Sequence, residues 1–364
     1  MTQREQQILR WIEENPMISQ AELAQRLGIT RSSVAVHISN LMKKGLIAGK
    51  GYVLKTGAYA AVVGAVNMDI GGRSQKPLLA ADSNPGQVRM SLGGVGRNIA
   101  HNLSLLGADV RMLTAYGDDL YGRKIASSCA ELGIDLSHAL EISGAATSTY
   151  LYIAEPEGEM ALAVSDMEIC QRITPAYLSR NLPLLNRARA VVCDTNLPVE
   201  SLSFLCEQVS APLFCDPVSA TKAKKLLPML GRLHTLKPNR LEAEALTGRS
   251  IRSRAEAEQA AALLLDAGLQ QVFLTLGPQG CYGATPSRGL WMPPLPARMV
   301  STTGCGDAFS AALVFAYLEG ADLQETLEIA QCAAAIAMES HETINPAMCA
   351  ALLDARLAEF HQRP

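Results

Sequence analysis

The sequence predicts a chain in two parts: a small helical head over residues 1–55, then an α/β body over residues 58–364. Three observations carry this reading. Charge is uneven: the chain has a net charge of −3, yet residues 1–55 hold eight Lys/Arg against four Glu, a net +4 that leaves −7 for the remainder. Beyond residue 58, short apolar runs of strand type alternate with helical runs, the pattern of a mostly parallel sheet with helices on both faces. Two stretches, about 67–92 and 145–165, break that alternation with a period of two. They read as a small antiparallel sheet set into the body, placed to close over a site as a lid.

Composition narrows the function classes. With 364 residues, 48% of them hydrophobic and 18% charged, the chain can bury a large core. Its overall charge gives no whole-chain case for nucleic acid or membrane binding. The longest uncharged apolar runs, near 58–68 and 308–318, are about half the length that spans a bilayer. The nine cysteines are scattered, odd in number and free of CxxC or zinc spacing. They read as small buried residues of a reduced, cytoplasmic protein. The N-terminus opens a charged amphipathic stretch, not a signal peptide.

In the head, Ile8, Leu9 and Ile12 mark the apolar face of a first helix that stops near Asn15-Pro16. Ser19 caps a second, with Glu22 three residues on as a capping box, and Gly28 ends it. Thr30 caps a third, whose Val34, Ile38 and Leu41 face inward at helical spacing. Residues 43–47 and 49–54 read as two short strands around a basic turn. The order of elements resembles a winged helix-turn-helix of the bacterial regulator type. That resemblance implies DNA as a partner, with Arg31, Ser32, Ser33 and His37 entering a major groove and Lys50 on the wing meeting phosphate. The competing reading is a helical cap that packs on the body or mediates dimers. Residues 45–50 look briefly like a P-loop, but they are one residue short between the glycines, and Gly51 stands where Ser or Thr should hold magnesium.

The body opens on a buried strand over 60–64. Strands over 190–193, 212–215 and 272–275 alternate with helices over 96–106, 241–247 and 255–267. The lid stretch 148–164 reads as a hairpin turning at Glu157-Gly158.

The chemistry gathers around Ser301-Thr302-Thr303-Gly304-Cys305-Gly306-Asp307-Ala308-Phe309-Ser310. The apolar run 308–318 predicts a buried helix starting at Gly306 or Asp307. Its free first-turn N–H groups form an anion site, and glycines let a phosphate approach the backbone. Asp307 supplies a carboxylate there. Phosphoryl transfer to an alcohol needs both parts: donors for developing negative charge and a base for the hydroxyl proton. A plain capped turn fits the same segment.

Three further segments precede it: Gly64-Ala65-Val66-Asn67-Met68-Asp69, Gly93-Gly94-Val95-Gly96-Arg97-Asn98, and Lys237-Pro238-Asn239-Arg240-Leu241-Glu242. With these four in order, residues 58–350 resemble the ribokinase-like (PfkB) carbohydrate and nucleoside kinases. Residues 94–103, 216–220 and 234–244 look like the pseudouridine kinase branch. The resemblance implies a three-layer α/β/α sandwich with a β lid, ATP and Mg²⁺ as cofactors, and a sugar or nucleoside acceptor. The exposed edges of the lid strands invite pairing with a second copy, so a homodimer with lid contacts is expected.

Residue by residue, the resemblance implies that Asp69 and Asn98 hold ribose hydroxyls. Gly94 lets the sugar approach the backbone, and Asn67 is a weaker member of that pocket. Asp307 takes the hydroxymethyl proton, and Gly304, Cys305 and Gly306 form the anion hole. Asn239 and Glu242 organise magnesium through water. Thr275, Gly277 and Gly280 lie beside the ATP phosphates. Each admits a structural alternative: a helix cap for Asn98 and Asn239, a solvated first-turn acid for Glu242, turn residues for Gly277 and Gly280. Asp194 and Asn196 are weaker cleft candidates.

Cys305 stands where the family commonly has Ala, and Ser301 where it often has Asp, the position bearing on a monovalent cation such as K⁺. The expected function is an ATP-dependent kinase for a 5′-type hydroxyl of pseudouridine or a related ribonucleoside. The alternatives are a kinase for ribose or fructose, and a regulator whose kinase-like body senses a ligand.

Overall fold

The computed structural model describes residues 2–47 and 58–362. The chain divides into two compact units, residues 1–58 and 59–364. In the first, helices Gln3–Glu14, Gln20–Leu27 and Arg31–Lys43 bury Ile8, Ile12, Leu23, Val34, Ile38 and Leu41 in one cluster. A reciprocal capping box joins Thr2 and Glu5 at the first helix start. Glu5 also pairs with Lys44 at 2.7 Å, tying the first helix to the end of the third. Ser19 caps the second helix by accepting the Glu22 N–H, but the box expected there is half formed. Glu22 turns instead to Arg26, one helical turn on, at 2.8 Å.

Residues 43–47 do not form the expected strand. Lys43 is the last residue of the third helix, Gly45 turns the chain at φ 71°, and Ile47 makes a single bridge. The helical pattern of Ile38 and Leu41 carries the chain through Lys43 before glycine stops it. The expected second strand, 49–54, and Lys50 lie outside the described residues. Arg31, Ser32 and Ser33 are exposed at the start of the third helix, and His37 is half-buried.

The second unit is built on an eight-stranded sheet. In spatial order the strands are Gly289–Met292, Cys281–Ala284, Gln271–Thr275, Thr235–Leu236, Leu213–Asp216, Ala190–Asp194, Tyr59–Val63 and Asp109–Leu113. The last six are parallel, and the two edge strands beyond Gln271–Thr275 are antiparallel. Tyr59–Val63 is buried at every position, as a strand covered on both faces must be. Separate apolar clusters lie on the two faces, one around Ile99, Phe309 and Ala330, the other around Leu185, Leu205 and Leu264. Helix Cys305–Glu319 is apolar nearly all round because it is enclosed by helices Val95–Leu105 and Leu323–Met338.

A four-stranded sheet stands apart, in the order Gly86–Gly93, Asn67–Ser74, Thr149–Ala154, Met160–Asp166. Its register places Asp69, Gly71 and Arg73 on one face with Arg89, Ser91, Tyr150 and Tyr152. Tyr152 lies across Gly71, where an added Cβ would come within 2.4 Å of the ring. The opposite face carries Ile70, Val88, Met90, Leu151, Ile153, Leu162 and Val164. Val88 is 73% exposed and Leu162 62%, so this apolar face is solvated in the single chain.

Candidate active site

Ligands in open α/β sheets bind at the carboxyl ends of the strands. Here those ends are Val63, Asp194, Asp216, Leu236 and Thr275, and the four sequence segments converge on them. Gly64 follows Val63, and Gly96 packs on it: a Cβ at Gly96 would lie 2.8 Å from the Gly64 Cα. Asp194 locks the contact. Its Oδ2 accepts the N–H groups of Ala65 and Gly96, both at 2.9 Å. With 1% exposure, Asp194 anchors these loops from below instead of lining the cleft. Asn196 is also inward, its Oδ1 accepting from Lys222 Nζ at 2.6 Å. Gly94 takes φ 98°, and a Cβ there would meet the Ala65 carbonyl at 2.4 Å. Only glycine suits this approach.

Asp69 and Asn67 share the lid strand, and Asn67 Nδ2 donates to Asp69 Oδ1 at 2.5 Å. Asn67 therefore orients Asp69. Burial raises the Asp69 carboxyl above its ordinary value, against the Asn67 hydrogen bond and the Arg97 cation. Asn98 Nδ2 donates to Asp307 Oδ2 at 2.8 Å, joining residues 209 apart in sequence. The Asn98 Oδ1 is buried without a partner among the described residues. An orphaned buried acceptor calls for a donor.

Helix Cys305–Glu319 begins one residue earlier than expected, because Gly304 takes the cap at φ 82°. A Cβ on Gly304 would sit 1.9 Å from the Thr343 carbonyl oxygen. This start leaves the N–H groups of Gly306 and Asp307 without acceptors inside the helix, while the Cys305 N–H donates to the Thr302 carbonyl at 3.4 Å. Asp307 is pushed up to about 7, by burial first and by the negative charge of Asp216 second. The Asn98 hydrogen bond and Lys237 pull the other way. Cys305 is pushed up to about 11 by burial, so its thiol stays neutral.

Asn239 caps helix Arg240–Thr247 in a reciprocal box with Glu242, at 3.0 and 2.8 Å. The helix-cap reading of Asn239 is thus realised, whereas Glu242 sits in the first turn but is 3% exposed and is not a solvated acid. Burial raises Glu242. One Glu242 oxygen remains beyond the box, so the pair offers hard oxygen donors suited to a hydrated Mg²⁺. No cluster of three or more acidic, His or Cys ligands forms among the described residues. Thr275 N–H donates to the Pro238 carbonyl at 3.0 Å, setting the Asn239 and Thr275 loops side by side. Gly277 and Gly280 hold φ 57° and 86°, and a Cβ at Gly280 would lie 2.1 Å from the Met292 carbonyl oxygen.

Sequence reasoning assigned no role to Asp216, Lys237 or Ser310. Lys237 Nζ lies 3.0 Å from Asp216 Oδ2 and 3.4 Å from the Gly306 carbonyl oxygen, beneath the turn bearing Asp307. Their position within recognised segments was the only available signal.

A cavity of about 680 Å³ opens along the lid beyond Gly71, bounded by Arg73, Gln87, Arg89, Tyr152, Met299 and Thr302.

Known proteins match this architecture. Residues 58–349 match the pfkB family carbohydrate kinase model, and residues 1–48 a winged helix-turn-helix DNA-binding model. The chain is 39% identical to an uncharacterized sugar kinase of Escherichia coli, YeiI, over 96% of this chain and 97% of that protein. It is 37% identical to the pseudouridine kinase of E. coli, over 79% of this chain and 93% of that protein. A carbohydrate kinase structure from Agrobacterium tumefaciens superposes with TM-score 0.72 at 28% identity, covering 83% of this chain and 97% of that one. An Arabidopsis thaliana ribokinase, solved with ribose and ATP, shares the fold with TM-score 0.73 at 21% identity, covering 83% and 99%. The chain belongs to the pfkB family of carbohydrate kinases, phosphotransferases that act on an alcohol group.

Proposed function

We propose that this chain transfers the γ-phosphoryl group of ATP to the hydroxymethyl group of a ribonucleoside, pseudouridine first among them, in the cytoplasm. One observation carries the reading: Asn98 bonds Asp307 while its other amide atom is buried and unpartnered. In this reading that atom accepts from a sugar hydroxyl beside the base. Asp69, oriented by Asn67, accepts a second hydroxyl. Asp307 takes the proton of the attacking hydroxymethyl. The first-turn N–H groups of helix Cys305–Glu319 face the charge that develops on the phosphoryl oxygens. Thr275, Gly277 and Gly280 shape the loop beside the ATP phosphates. Asn239 and Glu242 would hold Mg²⁺ through water, and the ion supplies charge neutralisation at the phosphates. Ser301 offers a monovalent cation only a neutral hydroxyl, whose Oγ accepts the Thr303 N–H at 3.2 Å. No role is therefore assigned to K⁺.

A nucleoside is favoured over a free sugar on two grounds. The identity to a pseudouridine kinase extends over most of the body. A cavity lies along the lid at Gly71, two residues beyond Asp69 on the same strand, with Tyr152, Gln87 and Arg89 available to a base. The test is ATP consumption with pseudouridine, uridine, inosine, guanosine, ribose and fructose. Pseudouridine should give the highest kcat/KM; a free sugar as best acceptor would overturn the nucleoside reading. The head adds DNA binding as a second activity, supported by its helix-turn-helix match. The solvated apolar face of the lid supports a homodimer formed lid to lid.

A further inference from the structure

Asp216 ends strand Leu213–Asp216 and is 4% exposed. Its Oδ2 meets two partners: Lys237 Nζ at 3.0 Å and Ser310 Oγ, which donates at 2.8 Å. Its Oδ1 accepts the Val218 N–H at 2.9 Å. Lys237, 7% exposed, also donates to the Gly306 carbonyl at 3.4 Å. A Cβ at Gly306 would lie 3.1 Å from that ammonium, so glycine leaves the lysine its room. Gly306 and Ser310 are one helical turn apart, so both contacts fall on the face of the helix that starts the anion site.

A buried ion pair is weak evidence of a stabilising role: it loses in desolvation about what it gains in attraction, and apolar replacements of similar volume are often neutral or better. The loop that follows Asp216 is itself unusual. Val218 holds φ 64°, a region that β-branched residues rarely occupy. Such conformations persist where the surroundings impose them, and they cluster at functional sites.

We propose that Asp216 is the positioning residue of the phosphoryl-transfer turn: through Lys237 and Ser310 it grips Gly306 and Ser310 on the helix behind Asp307, fixing base and anion donors relative to each other. The inference rests on the reading of Asp307 as base. It also has an electrostatic signature. The groups whose charge or hydrogen bond acts on Asp307 are Asp216, Lys237, Asn98 and Asp194; Asp216 and Asp194 oppose its ionisation, whereas Lys237 and the Asn98 amide favour it. Removing the Asp216 charge eases ionisation of Asp307. Removing the Lys237 charge hinders it.

The experiment compares Asp216→Asn, Lys237→Met, Ser310→Ala and Asp307→Asn in the full chain, with ATP and pseudouridine across about pH 5.5 to 9. Asp216→Asn should lower kcat about tenfold, since small misplacements of reacting groups cost one to two orders of magnitude. Both KM values should stay within about threefold, and the acid limb of the profile should move to lower pH. Lys237→Met should move that limb to higher pH. Ser310→Ala keeps both charges, so it should lower kcat about threefold with the limb unmoved. If Lys237→Met does not fold, Asp216→Asn and Ser310→Ala decide. Parent-like kcat in Asp216→Asn, or an unmoved limb, overturns the inference while inactive Asp307→Asn leaves the base reading intact. Parent-like turnover in Asp307→Asn overturns the base reading itself.

Discussion

Asp307→Asn tests the centre of the site, because it separates what the carboxylate contributes to turnover from what it takes from stability. The amide keeps the shape and can still accept the Asn98 hydrogen bond, formed at 2.8 Å in the parent. It cannot take a proton. Loss of a general base lowers turnover by about 10²-fold or more, and ATP binding should change little because the nucleotide loops are elsewhere. The parent enzyme should show the matching pH dependence. Asp307 is raised to about 7. With that value, roughly one tenth of the enzyme carries the ionised base at pH 6 and roughly nine tenths at pH 8, so kcat/KM should rise about tenfold over that interval.

The stability effect has the opposite sign. A carboxyl whose folded value lies above its unfolded value binds more protons when folded, so it favours the folded state in acid and weakens it as pH rises through the shifted value. Asp307→Asn removes that liability, and the melting temperature near pH 8 should rise by about 1–3 °C. The assays are steady-state kinetics from about pH 5.5 to 9 and thermal melts at both ends. Turnover within a few-fold of the parent, or a melting temperature that falls at pH 8, would refute the reasoning.

Two further predictions concern the lid and the head. If the lid faces pair, a charge at Leu162 or Val164, as in Leu162→Glu or Val164→Lys, should convert a dimer to a monomer in light scattering, because apolar burial drives such association. A parent protein that is monomeric and fully active at working concentration would sink this. If residues 1–55 bind DNA, affinity should fall steeply with salt through counterion release. Arg31→Ala should weaken binding most at a preferred sequence, and Lys50→Ala at all sequences alike. Residues 56–364 should retain kinase activity. No enriched sequence in a genomic binding selection, with a truncated body that fails to fold, would make the head a structural cap.

The sequence by itself determined the elements and named the candidate residues of the site. Apolar runs alternating between strand and helix period announced the parallel sheet, and the period-two stretches announced the lid. Periodicity reports which face of an element is buried, and that is local information. The glycines of 93–96 and 304–306 were legible for a similar reason: a helix start with no Cβ is a local signature of an anion site. Local signals also misled. The start of the strand expected over 43–47 was the end of a helix, since Lys43 continues the pattern of Ile38 and Leu41.

Tertiary structure decided the pairings. The Asn98–Asp307 contact spans 209 residues, Asp194 reaches Ala65 across 129, and Lys237 reaches Gly306 across 69. No spacing rule relates such positions. Asp216 and Lys237 read in sequence like any solvated acid and base, and only the layers of the sheet and helix Cys305–Glu319 closing over them show that both charges are buried together. Alternation gave the lid two faces without saying which looks inward. That depends on where the body lies, which is settled by long-range packing and not by the period of any strand.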